Sequence, residues 1–77
     1  MRRAIGLLEL KNITKGIQAA DVMLKAANVE MIMAQPLCPG KYVVMVAGDV
    51  GAVQSAVRSG KACGSDNVVD DFVLPNL

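Results

Sequence analysis

The stretch that decides the fold is Val29-Glu-Met-Ile-Met-Ala-Gln-Pro-Leu-Cys-Pro-Gly-Lys-Tyr-Val-Val-Met-Val-Ala47. Its two ends, Val29 to Gln35 and Tyr42 to Ala47, are short apolar runs rich in valine and methionine, too brief for helices and suited to strands. Between them stands Pro36-Leu37-Cys38-Pro39-Gly40-Lys41. Its prolines fix φ and lack backbone donors, and its glycine suits a tight turn. This segment cannot continue a helix or cross a central strand. The two runs therefore form a hairpin whose stiff tip carries one thiol.

Working outward, Ala4 to Leu10 is a compact apolar run expected as a buried strand. Thr14 is placed to cap a helix over Lys15 to Ala27, on which Ile17, Ala20, Leu24 and Ala27 recur at spacings of three and four and define an apolar face. Asn28 suits its stop. On the other side of the hairpin, Asp49 can cap a second helix with Val50, Val53 and Val57 on one face and Ala52 and Ala56 beside it, weakening at Gly60 and ending by Gly64. Val68 to Leu74 is expected as a last strand despite the adjacent Asp70 and Asp71. The order β-α-β-β-α-β predicts an α+β, ferredoxin-like fold in which an antiparallel four-stranded sheet carries both helices on one face. Met23, Met31, Met33 and Met45 are expected in the core and Cys63 as a semi-buried small side chain.

With 77 residues the chain is expected to form one domain over 1–77. At that length about 60% of the surface is buried on folding, so a lone copy is marginal. The 53% hydrophobic content, with one tyrosine and one phenylalanine, calls for an aliphatic core and suggests burial between subunits in a homo-oligomer. Eight Lys and Arg against seven Asp and Glu leave +1, which gives no broad field for nucleic acid or membrane. Glu9, Glu30, Lys41 and Asp49 interrupt every apolar run before a membrane span is reached. Arg2 and Arg3 open the chain as a signal peptide would, but Glu9 and Lys11 cut the following run short, and a mature cytosolic protein is expected. Reduced thiols at Cys38 and Cys63 fit that compartment. Histidine is absent, and no nucleophile–base pair, carboxylate dyad or phosphate-binding glycine motif stands out, so an enzyme is not expected.

The fold order serves several functions. RNA-recognition modules of this order need aromatics on the central strands, which this sequence lacks. Copper-chaperone versions carry Cys-X-X-Cys after the first strand, where Leu10-Lys11-Asn12-Ile13 has no sulfur. Small-molecule regulatory domains, which assemble as dimers, stay open.

Three further groups of residues narrow the field: Ala4-Ile5-Gly6-Leu7-Leu8-Glu9-Leu10; Gly16 with Ala19-Ala20-Asp21 and Met23-Leu24-Lys25-Ala26-Ala27-Asn28-Val29; and Gly48-Asp49-Val50-Gly51-Ala52-Val53. In this order and spacing they make the chain, from about residue 4 to 75, resemble the bacterial microcompartment shell domain. The Cys-Pro-Gly-Lys loop and the Asp70 to Leu74 end resemble the first half of the family's tandem-domain, propanediol-utilisation branch. The resemblance implies a flat cyclic tile, a hexamer of single domains or a trimer of tandem ones, packed with other shell proteins into a cytoplasmic microcompartment shell around encapsulated enzymes. It makes Pro36, Leu37, Pro39, Gly40 and Lys41 the lip of a central pore and Lys25 a tile-edge residue. In the tandem branch the loop cysteine, here Cys38, binds an iron–sulfur cluster, expected as 4Fe-4S and as an electron conduit across the shell. Symmetry supports that step, since an axis turns one thiol per chain into several converging thiolates. Ordinary tiles pass polar metabolites instead, and on that alternative Cys38 is an exposed thiol in a turn. The family pattern continues past the last strand with a further helix, whereas this sequence stops at Asn76-Leu77. Where many single-domain tiles place an arginine after the last strand's proline, Asn76 stands here.

Overall fold

The computed structural model describes residues 3–37 and 40–75. Its elements are β1 (Ala4–Leu10), α1 (Ile13–Ala26), β2 (Glu30–Pro36), β3 (Tyr42–Gly48), α2 (Val50–Gly64) and β4 (Val68–Leu74), with a single 3-10 turn at Ser65–Asn67 before the last strand. The sheet order is β2-β3-β1-β4 and all three pairings are antiparallel. The expected β-α-β-β-α-β order and α+β class are met. Strand two runs from Glu30 to Pro36 rather than Val29 to Gln35. A proline is tolerated there because β2 is an edge strand and Pro36 its last residue.

Both helices cover one face of the sheet. Leu8, Leu10, Val44 and Val46 from the central strands meet Met23 of α1 and Val53, Ala56 and Val57 of α2 in a single buried cluster. Alternation sends the other set of side chains, including Leu7, Val43, Met45 and Phe72, to the face without helices. This divides the methionines. Met23 is fully buried and Met31 packs on the core, but Met33 pairs with Met45 across strands, in register with Leu7 and not with the core residues Leu8 and Val44. The expectation of four core methionines is corrected to two: a register shift in β2 between Met31 and Met33 turns Met33 off the core face, and Met45, between Val44 and Val46 on β3, alternates to the other face.

The first helix is corrected in two respects. It begins at Ile13 and is capped by Asn12, whose Oδ1 accepts from the Lys15 N–H at 3.0 Å, not by Thr14. Its buried residues are Gly16, Ala19, Ala20 and Met23, whereas Ile17 and Leu24, the expected apolar face, are 54% and 44% exposed. Contact distance explains the rotation. A Cβ added to Gly16 would lie 2.5 Å from Cβ of Tyr42, so α1 lies on β3 through its smallest side chains and turns the bulky ones aside. In α2 the same principle applies. Gly60, expected as a weak point, is buried where an added Cβ would come within 2.8 Å of Leu8 and Met23. Asp49 precedes α2 as expected, though its side chain makes no capping bond.

Candidate functional site

The turn between β2 and β3 is built from its roots. Pro36 stands opposite Tyr42 as the last pair of the ladder, and beyond it the Leu37 N–H donates to the Lys41 carbonyl at 3.1 Å. The chain thus leaves and re-enters the sheet through one closing bond. Gly40 has φ +81°, a left-handed conformation that disfavours other residues, and a Cβ added there would meet no described atom within 4 Å. Pro36 and Leu37 are exposed. Strand alternation and the closing bond place Pro36, Leu37, Gly40 and Lys41 around one turn at one end of the sheet. Cys38 and Pro39 lie outside the described residues.

Lys41 has a partner that periodicity did not suggest. Its Nζ lies 3.8 Å from Oε2 of Glu9 on β1, two strands from β2. The signal was hidden because it depends on the β1–β3 register, which sets Glu9 opposite Val43 and Leu10 opposite Tyr42. Lys25 is not part of this group. It stands in the last turn of α1, highly exposed, with Nζ 3.0 Å from Oδ2 of Asp21 one turn earlier. That helix end leads into the start of β2, and a strand of seven residues is about 20 Å long. Lys25 and the turn therefore mark opposite ends of β2.

Two other surfaces emerge that sequence reasoning missed. A cavity of about 330 Å³ lies on the outer side of α2, lined by Gln54, Val57, Arg58 and Lys61 with Asp71 and Val73 of β4. Its wall is braced by Lys61 Nζ and Asp71 Oδ2 at 3.4 Å. On the outer side of α1, Ile13, Ile17 and Leu24 stand exposed. Among the described residues no group of three His, Cys, Asp or Glu side chains could hold a metal ion, and no helix is long and apolar enough to cross a membrane.

The model of the BMC domain matches residues 4–77. The chain belongs to the BMC domain family. As a BMC domain it is 51% identical over 77 residues to the bacterial microcompartment shell protein PduT of Citrobacter freundii, an alignment that takes in 100% of this chain and 42% of that protein. It is 43% identical over 61 residues to the shell protein PduA of the same organism, covering 79% of this chain and 66% of the relative. The crystal structure of a microcompartment protein from Desulfitobacterium hafniense superposes with a TM-score of 0.96 at 55% identity, over 97% of this chain and 42% of that one. The BMC domain described here thus spans less than half the length of PduT and of that structural neighbour. The resemblance to microcompartment shell domains is met at the level of family and fold.

Proposed function

We propose that this BMC domain is a structural tile of a microcompartment shell, that its β2–β3 turn lines a pore on the ring axis, and that Cys38 ligates an iron–sulfur cluster there. The observation that carries the reading is the root of that turn: a short segment closed by the Leu37–Lys41 bond, ending the sheet with Gly40 open to its surroundings. A turn of this kind can approach an axis closely, because neither a long loop nor a bulky side chain at position 40 stands in the way. The names of the relatives, shell proteins in each case, support the tile. The exposed apolar side chains of a 77-residue chain support its burial between copies and against other shell proteins.

The donor chemistry fits a cluster only through symmetry. One chain offers one thiol in the turn, and a cluster takes Cys thiolates from several sides. A three-fold or six-fold axis supplies them. Such a cluster, when bound, supplies one-electron transfer, which at a pore would join the two sides of the shell. The chain's own part is to hold Cys38 on a stiff turn and to set the charge beside it. Lys41, three positions along the sequence from Cys38, adds a positive charge to the turn, and its Nζ lies 3.8 Å from Oε2 of Glu9.

Iron and acid-labile sulfide per chain, measured after anaerobic purification of wild type and Cys38→Ser, test the cluster. The expected result is a brown wild type and a colourless variant; equal iron in both overturns it. An iron-free wild type that still forms rings and sheets leaves a tile that passes small metabolites, and a dimer by light scattering points instead to a regulatory domain.

A further inference from the structure

The cavity beside α2 is assembled by two periodicities. On the helix, Gln54, Val57, Arg58 and Lys61 stand at spacings of three and four and so share one flank. On β4, Asp71 and Val73 are two residues apart and point to the helix side of the sheet, since their partners across the ladder are the core residue Leu8 and the buried Gly6. A Cβ added to Gly6 would lie 2.6 Å from Cγ2 of Val57. The helix thus rests directly on β1, and the edge strand β4 has only the flank of α2 above it. The opening between them has Val57 and Val73, both packed on the core, as its floor and Gln54, Arg58 and Lys61 as an exposed rim.

Charge at that rim is unbalanced. Lys61 is paired with Asp71 at 3.4 Å, whereas Arg58, one turn earlier on the same flank, makes no ion pair and no side-chain hydrogen bond among the described residues. Two cations, Arg58 and Lys61, against the single carboxylate of Asp71 leave one positive charge beside an apolar floor. We infer that this cavity binds a small monocarboxylate with a short apolar chain, its carboxylate on Arg58 and its chain over Val57 and Val73. A guanidinium presents paired donors that match a carboxylate, and the Gln54 amide one turn earlier can add a further N–H. Size sets the ligand class. The volume of about 330 Å³ lies at the lower end of the roughly 300 to 1,000 Å³ of small-molecule pockets, which suits a molecule the size of hexanoate and not a nucleotide. An inorganic anion would engage the guanidinium but leave the valines uncovered, and a neutral alcohol would cover the valines but leave Arg58 without a partner. None of the lining residues belongs to the β2–β3 turn, so the site stands apart from the tile and cluster reading.

The test is an NMR titration of the full chain, following valine methyl and arginine Nε–H signals, with hexanoate as the probe and 1-hexanol and inorganic phosphate as comparisons at constant ionic strength. Hexanoate is expected to shift Val57, Val73 and Arg58 saturably, and the alcohol and phosphate to bind at least about tenfold more weakly. Arg58→Gln, at an exposed position, is expected to keep its fold by circular dichroism and to weaken hexanoate about tenfold while leaving 1-hexanol unchanged. Gln54→Glu, which sets a carboxylate on the rim, is expected to weaken hexanoate as well, and it decides the matter should Arg58→Gln fail to fold. The absence of saturable shifts at the groove, equal binding of 1-hexanol or phosphate, or unchanged hexanoate affinity in the folded variants overturns the site.

Discussion

Gly16 and Gly51 are both helical glycines, and they call for opposite substitutions. At Gly16 an added methyl meets Cβ of Tyr42, a fixed atom on a central strand, at 2.5 Å. At Gly51 it meets nothing within 4 Å. Alanine stabilises a helix by about 1 kcal/mol relative to glycine, but overpacking a core contact costs about 1 to 3 kcal/mol. Gly16→Ala is therefore expected to lower the unfolding free energy and Gly51→Ala to raise it by about 0.5 to 1 kcal/mol. Urea unfolding of the two variants beside wild type checks both signs, and a stabilised Gly16→Ala would show that α1 can lift from Tyr42 at little cost. None of this follows from periodicity, which puts Ile17 on the apolar face of the helix and leaves Gly16 off it. Periodicity identifies a set of apolar positions but cannot choose between a face of small residues that permits close approach and a face of large ones that fills space. The missed Glu9–Lys41 pair has the same origin, since its members are brought together only by strand register.

At the scale of elements, most boundaries were readable because punctuation was strong: Gly48-Asp49 before α2, Gly64 at its end, and two prolines around the hairpin tip. Sequence pattern places the start of α1 two residues late, at Lys15, because Thr14 and Asn12 are both cap residues. Asn12 holds the position, with extended φ and ψ of −142° and 122° and its side chain on the Lys15 N–H. Asn12→Ala is expected to cost about 1 kcal/mol, whereas Thr14→Ala, inside the first turn, is expected to be near neutral or slightly stabilising. Equal losses in thermal melts of the two variants would return the cap to Thr14. The turn was legible as a turn from its residue types, but its functional reading depended on resemblance, because one thiol in one chain specifies no ligand set. Family membership supports the shell domain alone, and iron content tests the cluster.

For the whole molecule the expectation of oligomerisation came from a composition that is 53% hydrophobic, and the fold gives that excess places. Part of it is the core, part is the stripe of Ile13, Ile17 and Leu24, and part is the sheet face without helices, where Phe72 and Leu74 are 40% and 46% exposed. If copies associate as the tile reading proposes, association adds to stability by mass action. The melting temperature is then expected to rise with protein concentration. A wild-type midpoint that does not move over a hundredfold dilution would mean that the isolated fold is sufficient.

The broken register of β2 bears on a hazard that any sheet-forming shell material faces. Chains held side by side at high density invite their edge strands to hydrogen-bond in succession, and such pairing propagates as a fibre. Here the edge is irregular between Met31 and Met33 and ends on Pro36, which has no N–H to offer. A copy arriving at that side finds no flat ladder to extend. For the shell tile proposed above, growth in two dimensions would then be left to side chains, whose contacts can loosen and re-form.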